Sequence, residues 1–220
     1  MRVAIFDFDG TIYKKETFPL LMNELKKHPT YRARYKRFYR SILFPYISYK
    51  LKLYPERKMK YDLMQRYVQA LDGWTKEEVT AFFKHVVSQM ENDWNDTVVN
   101  ALHKHAEDGL FTMVVSGAFT PLLEHLKQMW PIQKVIGTEL YYEQSRLNSK
   151  VNIDHVQEER KVQLIKRTLQ NKNIDWENSF AYGDSFSDVH VLRLVGNPVA
   201  IQPDAKLKKY TEKHGWTCIE

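Results

Sequence analysis

Five short apolar runs constrain this chain more than any other feature. They occupy residues 2–6, 110–115, 134–136, 180–182 and 199–201 and consist mainly of Val, Ile, Ala, Leu, Met and aromatic residues. Near-continuous apolar runs of this length suit strands buried on both faces, as in a parallel sheet. Helical patterns lie between them; Val156, Leu164, Ile165 and Leu169, for example, fall on one face. Strands alternating with helices predict an open α/β sheet. Residues 139–151 break the pattern, with Leu140-Tyr141-Tyr142, then polar residues through Asn148, then Val151. They read as a β-hairpin flap beside the sheet.

Residues 15–93 contain no buried-strand signal. Thr75-Lys76-Glu77-Glu78 is a capping box, because the Thr hydroxyl and the Glu carboxylate satisfy each other's backbone donors. Val79, Phe82, Phe83, Val86, Val87 and Met90 follow at helical spacing. Pro55 opens another helix carrying Met59, Leu63, Tyr67 and Leu71. The stretch is therefore expected to be a helical insertion after the first strand.

With 220 residues, the chain has room for one ordinary domain, or a core with a modest insertion. Five Trp, 13 Tyr and 11 Phe exclude a chain that is mainly disordered. A single cysteine, Cys218, cannot form an internal disulfide. No secretory leader is visible, and no apolar run reaches the ~18 residues needed to cross a bilayer. A cytoplasmic protein is expected. The net charge of +6 is unevenly spread: residues 14–60 hold fourteen Lys/Arg against Glu16, Glu24 and Glu56, a local balance of +11. Such an excess is either a solvated face or a surface that meets an anion. No helix-turn-helix or RNA-binding signature accompanies it, so nucleic acid is not the expected partner.

Four groups of residues carry chemistry. Asp7-Phe8-Asp9-Gly10-Thr11 follows the first strand, and alternation points both carboxylates into the crevice where α/β sheets bind ligands. Gly10 lets the backbone turn around a small anion, and Thr11 adds a hydroxyl; a capping Asp and an Asp-Gly turn would look similar. Ser116-Gly117-Ala118 ends the second strand and offers a hydroxyl and backbone N–H groups before a helix starting near Phe119. Lys161 opens the helix after the flap, with Arg160 and Lys166 as competitors for any role there. Finally, Gly183-Asp184-Ser185-Phe186-Ser187-Asp188 places two acids across a strand–helix turn, where they can hold a hard cation or where Asp184 can serve as a helix cap.

In this order, the four pieces resemble the haloacid dehalogenase superfamily of aspartate-nucleophile phosphohydrolases. The similarity runs from residue 1 to about 204. It implies a Rossmann-like parallel-sheet core from residues 1–14 and 94–220, with the flap, and an all-helical C1-type cap at 15–93. The Ser116-Gly117-Ala118-Phe119 segment and the flap place it nearest the phosphoserine phosphatase-like branch. The resemblance implies Asp7 as nucleophile forming an aspartyl-phosphate, and Asp9 as general acid and then general base. It implies Mg²⁺ held by the Asp7 carboxylate, the Asp9 backbone carbonyl and Asp184. Ser116 and Lys161 would bind phosphate oxygens beside Gly10, Thr11 and Gly117, and Asp188 would orient the metal's ligands from behind.

The pattern also departs from that branch. Ser185 and Ser187 stand where phosphoserine phosphatases usually carry Gly and Asn. Glu16 fits the position of a substrate-binding glutamate, which favours an amino-bearing substrate, although a glutamate near a helix start also suits the helix dipole. Phe18, Tyr31, Tyr35, Phe38, Tyr39, Phe44, Tyr46, Tyr49 and Tyr54 enlarge the basic cap beyond a serine-sized enclosure. These aromatics are expected mainly to form the cap's own core; residues 41–47 alternatively suit an anionic lipid interface. The expected activity is a Mg²⁺-dependent phosphomonoesterase acting on a small phosphorylated metabolite. A lipid-headgroup phosphatase of the phosphatidylglycerophosphate type and a phosphomutase are the alternatives, and a non-enzymatic interaction module is disfavoured by the full set of site residues. The sequence sets no oligomeric state.

Overall fold

The computed structural model describes residues 1–28 and 31–220. Six parallel strands form one sheet: β1 (Val3–Phe6), β2 (Phe111–Phe119), β3 (Lys134–Thr138), β6 (Phe180–Gly183), β7 (Asn197–Ile201) and β8 (Thr217–Ile219). Their spatial order is β3-β2-β1-β6-β7-β8. The five expected runs are thus strands, and β1, the most apolar, lies near the centre. Alternation divides its side chains between two faces. Ala4 and Phe6 join one core with α5 (Asp96–Glu107) and α6 (Thr120–Leu126). Val3 and Ile5 join the other with α7 (Glu159–Leu169), α8 (Val189–Leu192) and α9 (Ala205–His214). The sheet is therefore covered on both sides, as a parallel sheet requires. β8 was not expected; Thr217 and Cys218 are exposed and only Ile219 is partly buried, so an edge strand there carries no continuous apolar run.

The flap is present as an antiparallel pair, β4 (Tyr142–Glu143) and β5 (Arg146–Leu147). Its two-residue turn puts Gln144 and Ser145 at φ 48° and 63°, the primed geometry that matches strand twist. Leu147 and Trp74 are joined by a 2.7 Å backbone hydrogen bond, and Gly73 donates to Leu147 at 2.9 Å. The flap is thereby tied to the helical segment.

Four helices fill most of residues 15–93: α1 (Thr17–Lys27), α2 (Arg32–Lys50), α3 (Glu56–Ala70) and α4 (Lys76–Ser88). Thr75 and Glu78 form the expected capping box at the start of α4, and Pro55 caps α3. The two connections to the sheet run side by side. Lys14 donates to the Asp93 carbonyl and Asn95 to the Ile12 carbonyl, each at 2.9 Å. Tyr13 packs edge-on against Trp94.

Tyr67 joins these helices to the sheet. Its ring packs on Phe18, Phe38 and Phe119, the last residue of β2, and its hydroxyl donates to the Leu21 carbonyl at 3.0 Å. Tyr67→Phe removes one buried hydrogen bond and is expected to cost about 0.5–1.5 kcal/mol. Tyr67→Ala empties a fully enclosed site and is expected to cost about 3–5 kcal/mol. Denaturant titration of both variants checks the order and the gap; equal losses would show that the ring does not bridge the two parts.

Candidate active site

Three strand ends set the site. Phe6 is level with Val114 on one side and with Tyr182 on the other. Asp7, Ser116 and Asp184 each follow within two residues and so leave the sheet along one edge, the C-terminal edge at which α/β folds bind ligands. Phe8 turns the opposite way and is fully buried against Tyr13 and Trp94, which anchors the loop. Gly10 adopts φ +72°, and a Cβ there would lie 2.2 Å from Asp184 Oδ2. The loop thus brings Asp184 against bare backbone, a close approach that only glycine permits.

Lys161 is the cation of the site. It is almost fully buried, and its Nζ donates to Asp7 Oδ1 at 2.6 Å and to Asp188 Oδ1 at 2.7 Å. Burial alone would lower its pKa, yet Asp188 and Asp7 hold it well above the ordinary lysine value. The competing cations lie elsewhere: Arg160 pairs with Asp154, and Lys166 is exposed. Asp7, Asp184 and Asp188 each present a carboxylate oxygen within 4.8 Å of the others. Burial, with Asp188 adding to it, pushes Asp7 up to about 7 even beside Lys161. Burial, then Asp7 and Asp188, push Asp184 up to about 8. Three carboxylates thus face one ammonium. A hard dication with oxygen ligands fits this donor set and would balance its charge.

Asp9 is not part of that cluster. Its Oδ1 accepts from the Thr17 backbone N–H at 3.0 Å and from the Thr17 hydroxyl. Burial, reinforced by Glu16, pushes its carboxyl up to about 8, so it keeps a proton at neutral pH. Glu16 itself is exposed, with its charge bearing on both Asp9 and Asp184. Asp188 stands closer in than expected, inside the cluster. The capping alternative for Asp184 is excluded, because Ser185 forms the cap and shares a capping box with Asp188. Ser185 and Ser187 bond each other through their hydroxyls at 2.6 Å.

Ser116 is buried, and its Oγ accepts from Ala118 N at 3.1 Å. β2 continues through Gly117 to Phe119, with an irregularity after Val115, so α6 starts at Thr120. Thr11 is fully buried, and its hydroxyl has no hydrogen-bond partner among the described residues. His155 was not anticipated. Its Nε2 lies 2.9 Å from where a Gly117 Cβ would be, and burial, with Lys161, Lys60 and Arg57, pushes it down to about 4. A lone histidine in an irregular segment gives no sequence signal; Thr17 could have been found from its place at the start of α1.

The haloacid dehalogenase-like hydrolase model matches residues 4–193, and the chain belongs to that family. Its sequence is 24% identical over 231 residues to a histidinol-phosphatase from Neisseria meningitidis serogroup C, covering 99% of this chain and 97% of that one. It is 23% identical over 163 residues to an inhibition of morphological differentiation protein from Streptomyces azureus, covering 71% of this chain and 57% of that relative. A structure titled as a phospho-aspartyl intermediate analogue of phosphoserine phosphatase superposes with a TM-score of 0.65 at 18% identity, covering 100% of this chain and 93% of the other. The likeness to the phosphoserine phosphatase structure is one of fold.

Two outcomes test the geometry. Gly10→Ala and Gly73→Ala both force alanine into a left-handed turn, at about 1–2 kcal/mol each. Only the first meets a neighbour, Asp184; a Cβ on Gly73 meets nothing within 4 Å. Gly10→Ala is therefore expected to lose more stability, and turnover with it, in thermal melts and activity assays. The second outcome concerns pH. In chelator, the folded state keeps protons on Asp7, Asp9 and Asp184 to about 7, 8 and 8, whereas a free Asp releases its proton near 3.8. Between those values the unfolded chain binds fewer protons, so these groups make stability fall as pH rises. Asp184→Asn, which cannot ionise, is expected to flatten that decline in melts run from about pH 4 to about pH 8.

Proposed function

We propose that this chain is a Mg²⁺-dependent phosphomonoesterase that forms an aspartyl-phosphate on Asp7. The observation that carries the proposal is Asp7 itself, at a strand end, bonded to a buried Lys161 and facing Asp184 and Asp188. Membership of the haloacid dehalogenase-like family supports it.

Mg²⁺, held by the Asp7 and Asp184 carboxylates and the Asp9 backbone carbonyl, would offset negative charge on the phosphoryl group. An Asp7 oxygen attacks phosphorus as the bond to the leaving oxygen breaks. Lys161 fixes the other Asp7 oxygen and supplies positive charge beside the equatorial phosphoryl oxygens, where Ser116 adds a hydroxyl. Asp9, protonated at neutral pH, gives its proton to the departing alkoxide. The same carboxylate, now ionised, takes a proton from the water that attacks phosphorus and releases Asp7. Thr17 holds Asp9 at the turn into α1 throughout. Asp188 is a positioning residue, since it grips Lys161 and the Ser185 turn.

Residues 15–93 form the cap in this reading, with 1–14 and 94–220 as the catalytic core. Lys60 on α3 pairs with Glu56 at 3.0 Å and also feels the charge of Glu16, which supports a cap that meets the site mouth. Its role is to exclude bulk water during the first transfer. The substrate class we favour is a small amino-bearing phosphomonoester. Glu16 offers a carboxylate at the mouth, and both histidinol phosphate and phosphoserine carry an amine close to the phosphorylated carbon. A cytoplasmic setting is consistent with such a metabolite; among the described residues, no helix is long and apolar enough to cross a membrane.

The test is a turnover panel over phosphomonoesters with purified protein. Asp7→Asn is expected to lose about 10⁴-fold or more in kcat. Asp9→Asn is expected to lose about 10²–10⁴-fold on alkyl phosphates but much less on p-nitrophenyl phosphate, whose leaving group needs no proton. Chelation is expected to abolish turnover, with Mg²⁺ restoring it better than Ca²⁺, which prefers more and longer bonds to oxygen. Glu16→Gln is expected to raise KM about tenfold for amino-bearing substrates and to leave p-nitrophenyl phosphate unchanged. Full turnover in excess chelator, or by Asp7→Asn, would falsify the scheme.

A further inference from the structure

Helix α2 has two unlike faces. Tyr31, just before it, and Tyr35, Phe38 and Ile42 recur at helical spacing and pack into the helical segment's core. Opposite them run Lys36, Arg40, Leu43, Phe44, Ile47 and, just past the helix, Leu51. The basic residues of this outer stripe come first and the apolar ones last. Phe44 is 80% exposed, Leu51 64% and Ile47 49%. After α2, Lys52 adopts φ 59° and turns the chain back, with Leu53 N–H bonded to the Ser48 carbonyl at 2.9 Å. This tight turn holds Leu53 out at 77% exposure. Of the cap aromatics expected in its core, Phe18, Tyr31, Tyr35 and Phe38 are there, whereas Tyr39, Phe44 and Tyr46 are exposed; in residues 41–47 only Ile42 among the large apolar side chains is buried. The amphipathic period of α2 assigns its inner face to Phe38 and Ile42 and leaves the others outside.

Cations surround the exposed tip. None of Lys36, Arg37, Arg40, Lys50 and Lys52 is in an ion pair among the described residues. Lys50 and Lys58 instead lie over the rings of Tyr46 and Tyr54. A contiguous exposed apolar patch of this kind marks an interaction surface rather than ordinary scatter. We propose that the tip formed by the second half of α2 and the turn to α3 docks on an anionic lipid bilayer. Both halves of the tip's chemistry then have a partner: the aliphatic and Phe side chains enter the acyl boundary, and the lysines and arginines meet headgroup phosphates. Tyr39 and Tyr46, with polar ends on apolar rings, suit the level between.

The other occupants fit less well. A second copy would bring two strongly basic tips together. A nucleic acid would engage the cations and stack on the aromatics, but would give Leu43, Ile47, Leu51 and Leu53 nothing apolar to bury against. The tip also adjoins the site. Arg57, at the start of α3, pairs with Glu158 at 3.5 Å, three residues before Lys161. Docking does not depend on the proposed phosphatase chemistry and is read without turnover.

The experiment is co-sedimentation of the full chain with phosphatidylcholine vesicles containing none or about 30% phosphatidylglycerol, at about 0.15 M and about 0.5 M salt. The expected result is at least about tenfold tighter binding to the anionic vesicles, weakened by salt. A triple variant, Phe44→Ser with Leu51→Ser and Leu53→Ser, keeps every charge and changes only exposed side chains; it is expected to bind at least about tenfold more weakly with an unchanged melting temperature. No binding by the parent, equal binding to both vesicle types, or undiminished binding by the triple variant each overturns the proposal. So does a dimer in light scattering that the triple variant converts to monomer, since that makes a second copy the occupant.

Discussion

The site depends on one buried ammonium. Lys161 stands between Asp7 and Asp188, with almost no solvent to share its charge. An isolated cation in such a place would lose its proton or draw in water. Here two carboxylates keep it charged, and it in turn keeps two acids in contact that would otherwise repel each other. Removing Lys161 leaves Asp7 and Asp188 buried without a cation, which costs far more than the pair is worth intact. The arrangement therefore reads as a device for placing Asp7 more than as a source of stability. α7 carries the device: it sets Ile165 and Leu169 into the core, and the same face brings Lys161 inward.

Charge balance then decides what else the site can hold. Lys161 offsets one carboxylate fully, so Asp184 remains against Asp7 and Asp188 without a cation of its own, and Gly10 lets it come closer still. Asp9 stands outside this cluster, bonded to Thr17, while burial and the charge of Glu16 push its carboxyl up to about 8. Two aspartates two residues apart are thus given different partners, Lys161 for Asp7 and Thr17 for Asp9, which suits the separate roles proposed for them.

Much of this was legible in the residues. Buried parallel strands have no polar face, so their runs stand out, and the acids, Ser116 and Gly183 at their ends mark the ligand edge of the sheet. The flap followed from its polar break, and the capping box of α4 from two side chains three residues apart. What sequence could not supply were relations across distance. Whether Lys161 or Arg160 turned inward depended on Asp154 being near enough to take the arginine. Asp188 inside the cluster, His155 against Gly117 and Thr17 on Asp9 depend on where separate segments meet. β8 lacked a signal because an edge strand buries little. Of the cap aromatics, Phe18, Tyr31, Tyr35 and Phe38 enter the core as expected and Tyr39, Phe44 and Tyr46 do not: aromatic content indicates the capacity for a core, whereas the helical period of α2 tells which of its rings enter it.

That period also explains how one segment serves two surfaces. Tyr67 and Phe38 are enclosed between α1 and the end of β2, so the inner face of the helical segment is fixed to the catalytic edge by aromatic packing. Fixing the inner face determines the outer one, because residues on a rigid helix cannot turn independently. Leu43, Phe44 and Ile47 are therefore held in water by the packing of Phe38 and Ile42 on the same helix. An exposure enforced in this way carries a continuing solvation cost that nothing inside the chain offsets. Polar residues at the same positions would leave Phe38 and Ile42 packed as they are, so the exposed apolar area, above all that of Phe44, is not required by the fold and is what the proposed bilayer contact would cover.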